Sequence, residues 1–210
     1  MLNENLIIVC GPVRSGTSLT MGLLESQGVW VGDCTGGNVF NLKGNFDNIE
    51  IGQIVSKRAH EKISSDVMIN KTLKVLFRQK YIPNTPWAIK QKAGFLEFWK
   101  RLSPLIIITK RDVECIAESR IRSLQLRKDQ GGISKNISLS FKKAKKDAIG
   151  WYEGIEEDVK DYKYYYLDTN NIVVNNDYSE FVVILKKIGL VLDITSAESF
   201  VEPKYWHYKK

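Results

Sequence analysis

Apolar residues along this chain fall into two kinds of pattern. Short unbroken runs occupy residues 6–10 (Leu-Ile-Ile-Val-Cys) and 105–109 (Leu-Ile-Ile-Ile-Thr). Runs this short and this rich in branched side chains predict strands buried on both faces, as in a parallel sheet. Residues 164–167 predict a third strand, and residues 29–31 and 87–90 two shorter ones. Between them, apolar positions recur at helical spacing. They predict helices over 17–27, stopped by Gly28, over 47–63, 95–102 and 134–159, and over 177–187, stopped by Gly189. A further helix over 112–126 has Asp112 as its N-cap. Residues 32–46 are rich in Gly and Asn and predict an ordered loop, the segment from Pro83 to Pro86 a turn, and Gly131-Gly132 a break. Residues 191–210 show little periodicity. Strands alternating with helices predict an α/β fold in three layers, a central and mainly parallel sheet flanked by helices. No repeat or low-complexity linker divides residues 1–210, so one domain is expected.

Composition narrows the class. Hydrophobic residues make up 43% and charged residues 26% of the 210, the balance of a globular chain rather than a disordered or collagenous one. Cys10, Cys34 and Cys115 form neither a CxxC nor a Cys/His cluster, so a disulfide framework or zinc site is not expected, and the chain reads as cytoplasmic. No apolar stretch approaches the roughly 20 residues of a membrane span, and residues 1–10 lack the basic start of a signal peptide. The net charge of +7 is unevenly spread: residues 1–70 carry −2, residues 147–210 carry −5, and residues 71–146, with 19 basic and 5 acidic side chains, carry +14. An anionic partner is expected to meet that middle segment, with nucleic acid, an anionic nucleotide and a sulfated or phosphorylated substrate all compatible.

Gly11-Pro-Val-Arg-Ser-Gly-Thr-Ser18 joins the first strand to the first helix. Backbone N–H groups in such a loop, with those of the following helix start, cradle an anion. Gly11 and Gly16 permit close approach, Arg14 offers a charged fork, and Thr17 and Ser18 offer hydroxyls. The nucleoside-triphosphatase signature G-x-x-x-x-G-K-[ST] would place Lys where Thr17 stands. That Lys serves the β- and γ-phosphates, so its absence argues against γ-phosphoryl transfer but not against binding a phosphate-like group. The second strand ends in Lys110-Arg111, a cationic pair rather than an acidic magnesium ligand.

These residues resemble the sulfotransferases that use 3′-phosphoadenosine-5′-phosphosulfate (PAPS). GPVRSGTSLTMGLL resembles their 5′-phosphosulfate loop, and Leu105 to Asp112 with Ser119 resembles their 3′-phosphate motif, in which a strand ends in Arg-Asp-Pro and a Ser follows the Arg by eight residues. Asn41-Leu-Lys-Gly-Asn-Phe-Asp47-Asn48 and Trp87-Ala-Ile-Lys90 are similar to segments of a bacterial branch. The chain departs from that pattern at Val113, where Pro is usual, at Gln91-Lys92-Ala93, where Asp-Pro-Arg is usual, and at Asp47, where Glu is usual.

The resemblance implies a P-loop-type sulfotransferase that moves a sulfuryl group from PAPS to a hydroxyl or amine acceptor and leaves adenosine 3′,5′-bisphosphate (PAP). It assigns donor binding to Arg14, Ser15, Gly16, Thr17, Ser18, Arg111 and Ser119, and catalysis to Arg14, Lys90 and Asp47. Asp47 is the expected base, with Glu50 one helical turn away and His60 and His207 behind it; the other role open to Asp47 is the N-cap of the next helix. Arg and Lys can neutralise the leaving phosphate, so no metal is required. The expected partners are the nucleotide donor and an acceptor that is a saccharide, peptide tyrosine, lipid or small metabolite, anionic acceptors included, with no nucleic acid and no membrane. The competing classes are an ATP-dependent P-loop phosphotransferase and a non-catalytic polyanion binder. Arg120, Arg122, Arg127 and Lys128 are surface residues or contacts for the 3′-phosphate; Lys142, Lys143, Lys145 and Lys146 read as a solvated face, and Tyr162, Tyr164, Tyr165 and Tyr166 as sheet packing.

Overall fold

The structure is a computed structural model and describes residues 5–38, 41–130 and 138–201. Its elements in chain order are β1 (Leu6–Cys10), α1 (Thr17–Ser26), α2 (Ile49–Glu61), α3 (Ser65–Arg78), β2 (Trp87–Lys90), a 3-10 helix (Ala93–Leu102), β3 (Leu105–Lys110), α4 (Val113–Asp129), α5 (Phe141–Val159), β4 (Tyr164–Asp168), α6 (Thr169–Asn175), α7 (Ser179–Lys187) and α8 (Ile194–Phe200). The strands pair in the order β2-β1-β3-β4, and every pairing is parallel. This is the expected α/β architecture, a parallel sheet between helical layers.

The alternation of β1 explains the layers. Ile7 and Val9 face one side and pack with Leu19 and Leu23 of α1 and Phe181, Ile184 and Leu185 of α7. Leu6, Ile8 and Cys10 face the other and pack with Met68, Val75 and Leu76 of α3, Leu96 and Trp99 of the 3-10 helix, and Val159 of α5. Every residue of β1 is therefore buried, which is why its sequence is an apolar run rather than an alternating one.

Connections from β1 leave to β2 on one side, and those from β3 continue to β4 on the other. The order reverses between β1 and β3, and in open parallel sheets a crevice opens at that point beyond the carboxyl ends of the strands.

The departures from the expected elements have local causes. Residues 93–102 form a 3-10 helix because the buried positions Ala93, Leu96, Trp99 and Leu102 repeat every three residues. Residues 29–31 contribute a single bridge, Trp30 to Trp87, because Gly28 and Gly32, both at positive φ, bracket the extended segment closely. Helix α3, passed over in the sequence, carries its own signals: Ser64 accepts from the Val67 N–H, and Met68, Thr72, Val75 and Leu76 lie one behind another on the buried face. Helices α6 and α8, likewise unexpected, start at the caps Asp168 and Asp193. α5 begins at Phe141 under the cap Ser140; residues 134–137 of the helix expected there, and Gly131-Gly132, lie outside the described residues, as does most of 191–210 beyond α8.

Asp112 caps α4 as expected, its carboxylate accepting from the N–H groups of Glu114 and Cys115 at 2.8 and 3.0 Å. Asp112→Ala is expected to lower folding stability by about 1 kcal/mol, measured by urea denaturation, whereas Asp112→Asn, which keeps the acceptor, should cost only a fraction of that.

Candidate active site

The loop between β1 and α1 sits at the reversal of strand order, and its shape is fixed from below. Gly11 lies so close to β3 that a Cβ there would come within 2.0 Å of the Thr109 hydroxyl. Gly16 has φ +103°, and a Cβ there would meet the Thr169 side chain at 2.6 Å. Both positions therefore require glycine. Ser15 is buried, its hydroxyl 2.5 Å from that of Thr109 and its N–H bonded to the Pro12 carbonyl. Its side chain thus supports the loop from within and does not line the cleft above it.

Arg14 is the strained residue of the loop, at φ +75°. A non-glycine residue in this region costs on the order of 1–3 kcal/mol and persists only where its surroundings hold it. Arg111, at the end of β3, supplies that hold: its guanidinium donates to the Arg14 carbonyl at 3.0 Å. The Arg14 side chain turns to α4 and donates from Nε to the Ser119 hydroxyl at 3.0 Å, with the Asn41 side-chain oxygen 3.5 Å from its Nη1. Arg111 is itself anchored through its backbone N–H to the Tyr152 hydroxyl of α5 at 2.9 Å.

On the other side of the loop, β2 delivers Lys90. Its ammonium lies 3.1 Å from the Asp47 carboxylate and 3.3 Å from the Ser18 hydroxyl, and it also bonds the Asn45 carbonyl. The Lys90 side chain is largely covered, while Asp47 is 55% exposed. Asp47 is not the N-cap of α2, because that place belongs to Asn48, whose side chain accepts from the Ile51 N–H at 3.1 Å. Glu50 turns away from the loop and is held by Arg78 and Gln79 on the far side of α2.

These groups line one cleft of about 700 Å³. Its walls include Gly11 to Arg14, Gly16 to Ser18, Asp47, Lys90 and Arg111, so loop, β2 and β3 meet there. Arg14, Lys90, Lys92, Arg111 and Arg127 set five cations against one carboxylate, Asp47, among the described lining residues. Ser119 lies just beneath, reached through Arg14. Such a cleft favours a small, multiply charged anion beside the Asp47 carboxylate.

Sequence reasoning missed part of this lining. Ser56 of α2 and Ser123 of α4 face the cleft beside His60 and Arg127, which the sequence had already raised. The signal for the α4 pair was present, since positions 119, 123 and 127 are successive turns of one helix face. Arg120 is accounted for elsewhere, bonded to Asp147 at 3.2 Å and stacked over Trp151. Lys143 also pairs with Asp147, and Lys145 with Glu114. Hydrogen bonds from Lys143 and Arg120 hold the Asp147 carboxyl below the usual range. Burial pushes the Cys10 and Cys34 thiols up to about 12, which makes neither a nucleophile at neutral pH. His207 lies outside the described residues. Among the described residues no three His, Cys, Asp or Glu side chains gather as a metal site, and no helix is long and apolar enough to cross a membrane.

A parallel sheet with a glycine-bearing loop at its point of reversal defines the class as a layered α/β fold. More particularly, the fold is similar to that of two sulfotransferases of known structure. Sulfotransferase STF1 from Mycobacterium tuberculosis superimposes with a TM-score of 0.59, over 99% of this chain and 74% of that one, at 15% identity. The sulfotransferase domain from the curacin biosynthetic pathway superimposes with a TM-score of 0.50, over 100% of this chain and 79% of that one, at 11% identity. No family model matches the chain, and no curated protein matches it in sequence.

Thr169, at the end of β4, is buried, and its hydroxyl lies 2.9 Å from the Ser15 carbonyl and 3.0 Å from that of Lys110. Thr169→Val keeps the shape and removes the donor. It is expected to lower stability by roughly 1–3 kcal/mol, read from denaturant midpoints, and Thr169→Ser should restore most of the loss.

Proposed function

We propose that this chain is a sulfotransferase that takes a sulfuryl group from PAPS and passes it to an acceptor hydroxyl or amine. What carries the proposal is the convergence on one loop of residues far apart in the chain. Arg14 reaches Ser119 across 105 positions, Arg111 holds the backbone of Arg14, and Lys90 pairs with Asp47 on the opposite side. The sulfotransferase fold of the two structural neighbours agrees with it.

In this proposal the N–H groups of Gly16, Thr17 and Ser18, at the start of α1, take the 5′-phosphosulfate end of the donor. Arg111 and Ser119 take its 3′-phosphate, one as a charged fork and the other through a hydroxyl. The carboxylate of Asp47 accepts the acceptor proton as the acceptor oxygen forms its bond to sulfur. The bond from sulfur to the bridging phosphate oxygen breaks in line, and the electron pair stays on the leaving phosphate. Arg14 and Lys90 stabilise the charge that accumulates there, a term that grows toward the transition state and so raises the rate rather than the affinity. Arg14 must leave Ser119 to reach that oxygen. Lys90, 3.1 Å from the Asp47 carboxylate, also orients it, as a base at a transfer site requires.

Transfer of radiolabelled sulfate from PAPS to a panel of hydroxyl acceptors tests the activity. Calorimetric titration should show PAP bound more tightly than ATP-Mg; the reverse order would favour phosphoryl transfer and sink the proposal. Asp47→Asn should reduce turnover by roughly 10²–10⁴-fold while PAP affinity holds, and Glu50→Gln should leave turnover unchanged. Retained turnover in Asp47→Asn would move the base to another group of the cleft, His60 being in place. Arg14→Ala should cost about 10²–10³-fold in kcat, and Arg111→Ala should weaken PAP binding by about tenfold or more.

A further inference from the structure

The basic residues of α4 are not equivalent. Arg120 faces α5, where Asp147 and Trp151 hold it. Arg122 and Lys128 are not among the residues lining the cleft, whereas Ser123 and Arg127 are, in the company of Arg14 and Arg111. Ser119, Ser123 and Arg127 are spaced by four residues, so they follow one another along a single face of the helix. Helical side chains lean toward the N-terminus and cover the turn before their own Cα. The guanidinium of Arg127 therefore serves the turn of Ser123, next to that of Ser119.

The sheet order places this face away from the transfer centre. β3 and α4 lie on one side of β1; β2, with Lys90 and its partner Asp47, lies on the other. An anion gripped by Arg127 is thus on the donor's distal side rather than beside the acceptor.

We infer that Arg127, with Ser123, extends the subsite of Arg111 and Ser119 and determines the preference for a 3′-phosphorylated nucleotide. This rests on the PAPS assignment made above. Arg111 is buried and committed in part to the Arg14 carbonyl, and the Ser119 hydroxyl is engaged by Arg14. A doubly charged phosphate is better matched by more than those two groups, and Arg127, exposed and lining the same cleft two turns along, adds a second guanidinium fork.

The test compares PAP with adenosine 5′-monophosphate, which differ only in the 3′-phosphate, by titration calorimetry on the full chain. Arg127→Ala and Arg127→Gln are each expected to weaken PAP about tenfold and leave the monophosphate unchanged, and Ser123→Ala is expected to weaken PAP about threefold. Arg122→Ala should match the unmodified chain for both. A preference for PAP that survives both Arg127 variants overturns the inference and leaves the donor assignment standing. Equal weakening of the two nucleotides also overturns it, since Arg127 would then act on the 5′ end or on the fold. An unmodified chain that does not prefer PAP overturns the donor assignment itself, and this inference with it.

Discussion

An anion loop must turn its N–H groups outward, and its carbonyls must then find donors inside the protein. Between Pro12 and Gly16, four of the five carbonyls meet that constraint. Pro12 accepts from Ser15, Arg14 from the Arg111 guanidinium, Ser15 from Thr169, and Gly16 from Thr20 in the first turn of α1. The donors come from four separate parts of the chain: the loop itself, the end of β3, the end of β4 and α1. A loop held this way is pre-shaped before any ligand arrives, which is the condition for electrostatic stabilisation without reorganisation. It also explains why the strands must be parallel. Only a parallel order brings the ends of β1, β3 and β4 to the same edge, where Thr109, Arg111 and Thr169 can reach one loop.

The strain at Arg14 belongs to the same arrangement. Its left-handed backbone turns its carbonyl down to Arg111 and frees the guanidinium to leave the loop surface for α4. One residue thereby serves as a structural acceptor through its backbone and as a cation held against α4 through its side chain. Lys90 stands on the opposite side. It is largely covered and held by Asp47, Ser18 and the Asn45 carbonyl, so its charge is fixed in position. The cleft thus sets one cation on its α4 side and another on its β2 side.

Much of this could be read from the sequence wherever local rules and tertiary demands agree. The runs at β1 and β3 declared strands buried on both faces, Asp112 declared a helix start, and Gly11 and Gly16 marked a loop with glycine-only positions. Resemblance to a family raised Arg14, Lys90 and Asp47, and the fold brings the three to one loop. What local rules could not show was which of several similar residues faces inward. Asp47 and Asn48 are adjacent and both can cap a helix, yet the cap went to Asn48. Glu50 lies a turn from Asp47 and faces Arg78. Arg120 and Arg127 share a helix, but the packing of α5 against α4 takes the first and leaves the second to the cleft. Choices of this kind depend on the rotation of a helix about its axis, which is set by partners distant in sequence. The period of three at Ala93, Leu96, Trp99 and Leu102 was, by contrast, readable in principle, and distinguishes a 3-10 helix from an α-helix.

The single bridge at Trp30 has a consequence for how the molecule behaves in company. β2 is an edge strand, and edge strands of apolar sequence invite pairing with other chains. On its open side the Ala88 N–H is taken by the Trp30 carbonyl, and the Trp30 N–H is taken by Pro86, a residue with no N–H of its own to offer. One residue, bracketed by glycines, thus covers the first backbone groups of a row that would otherwise template aggregation. A feature that is too short to count as a strand acts as the hem of the sheet.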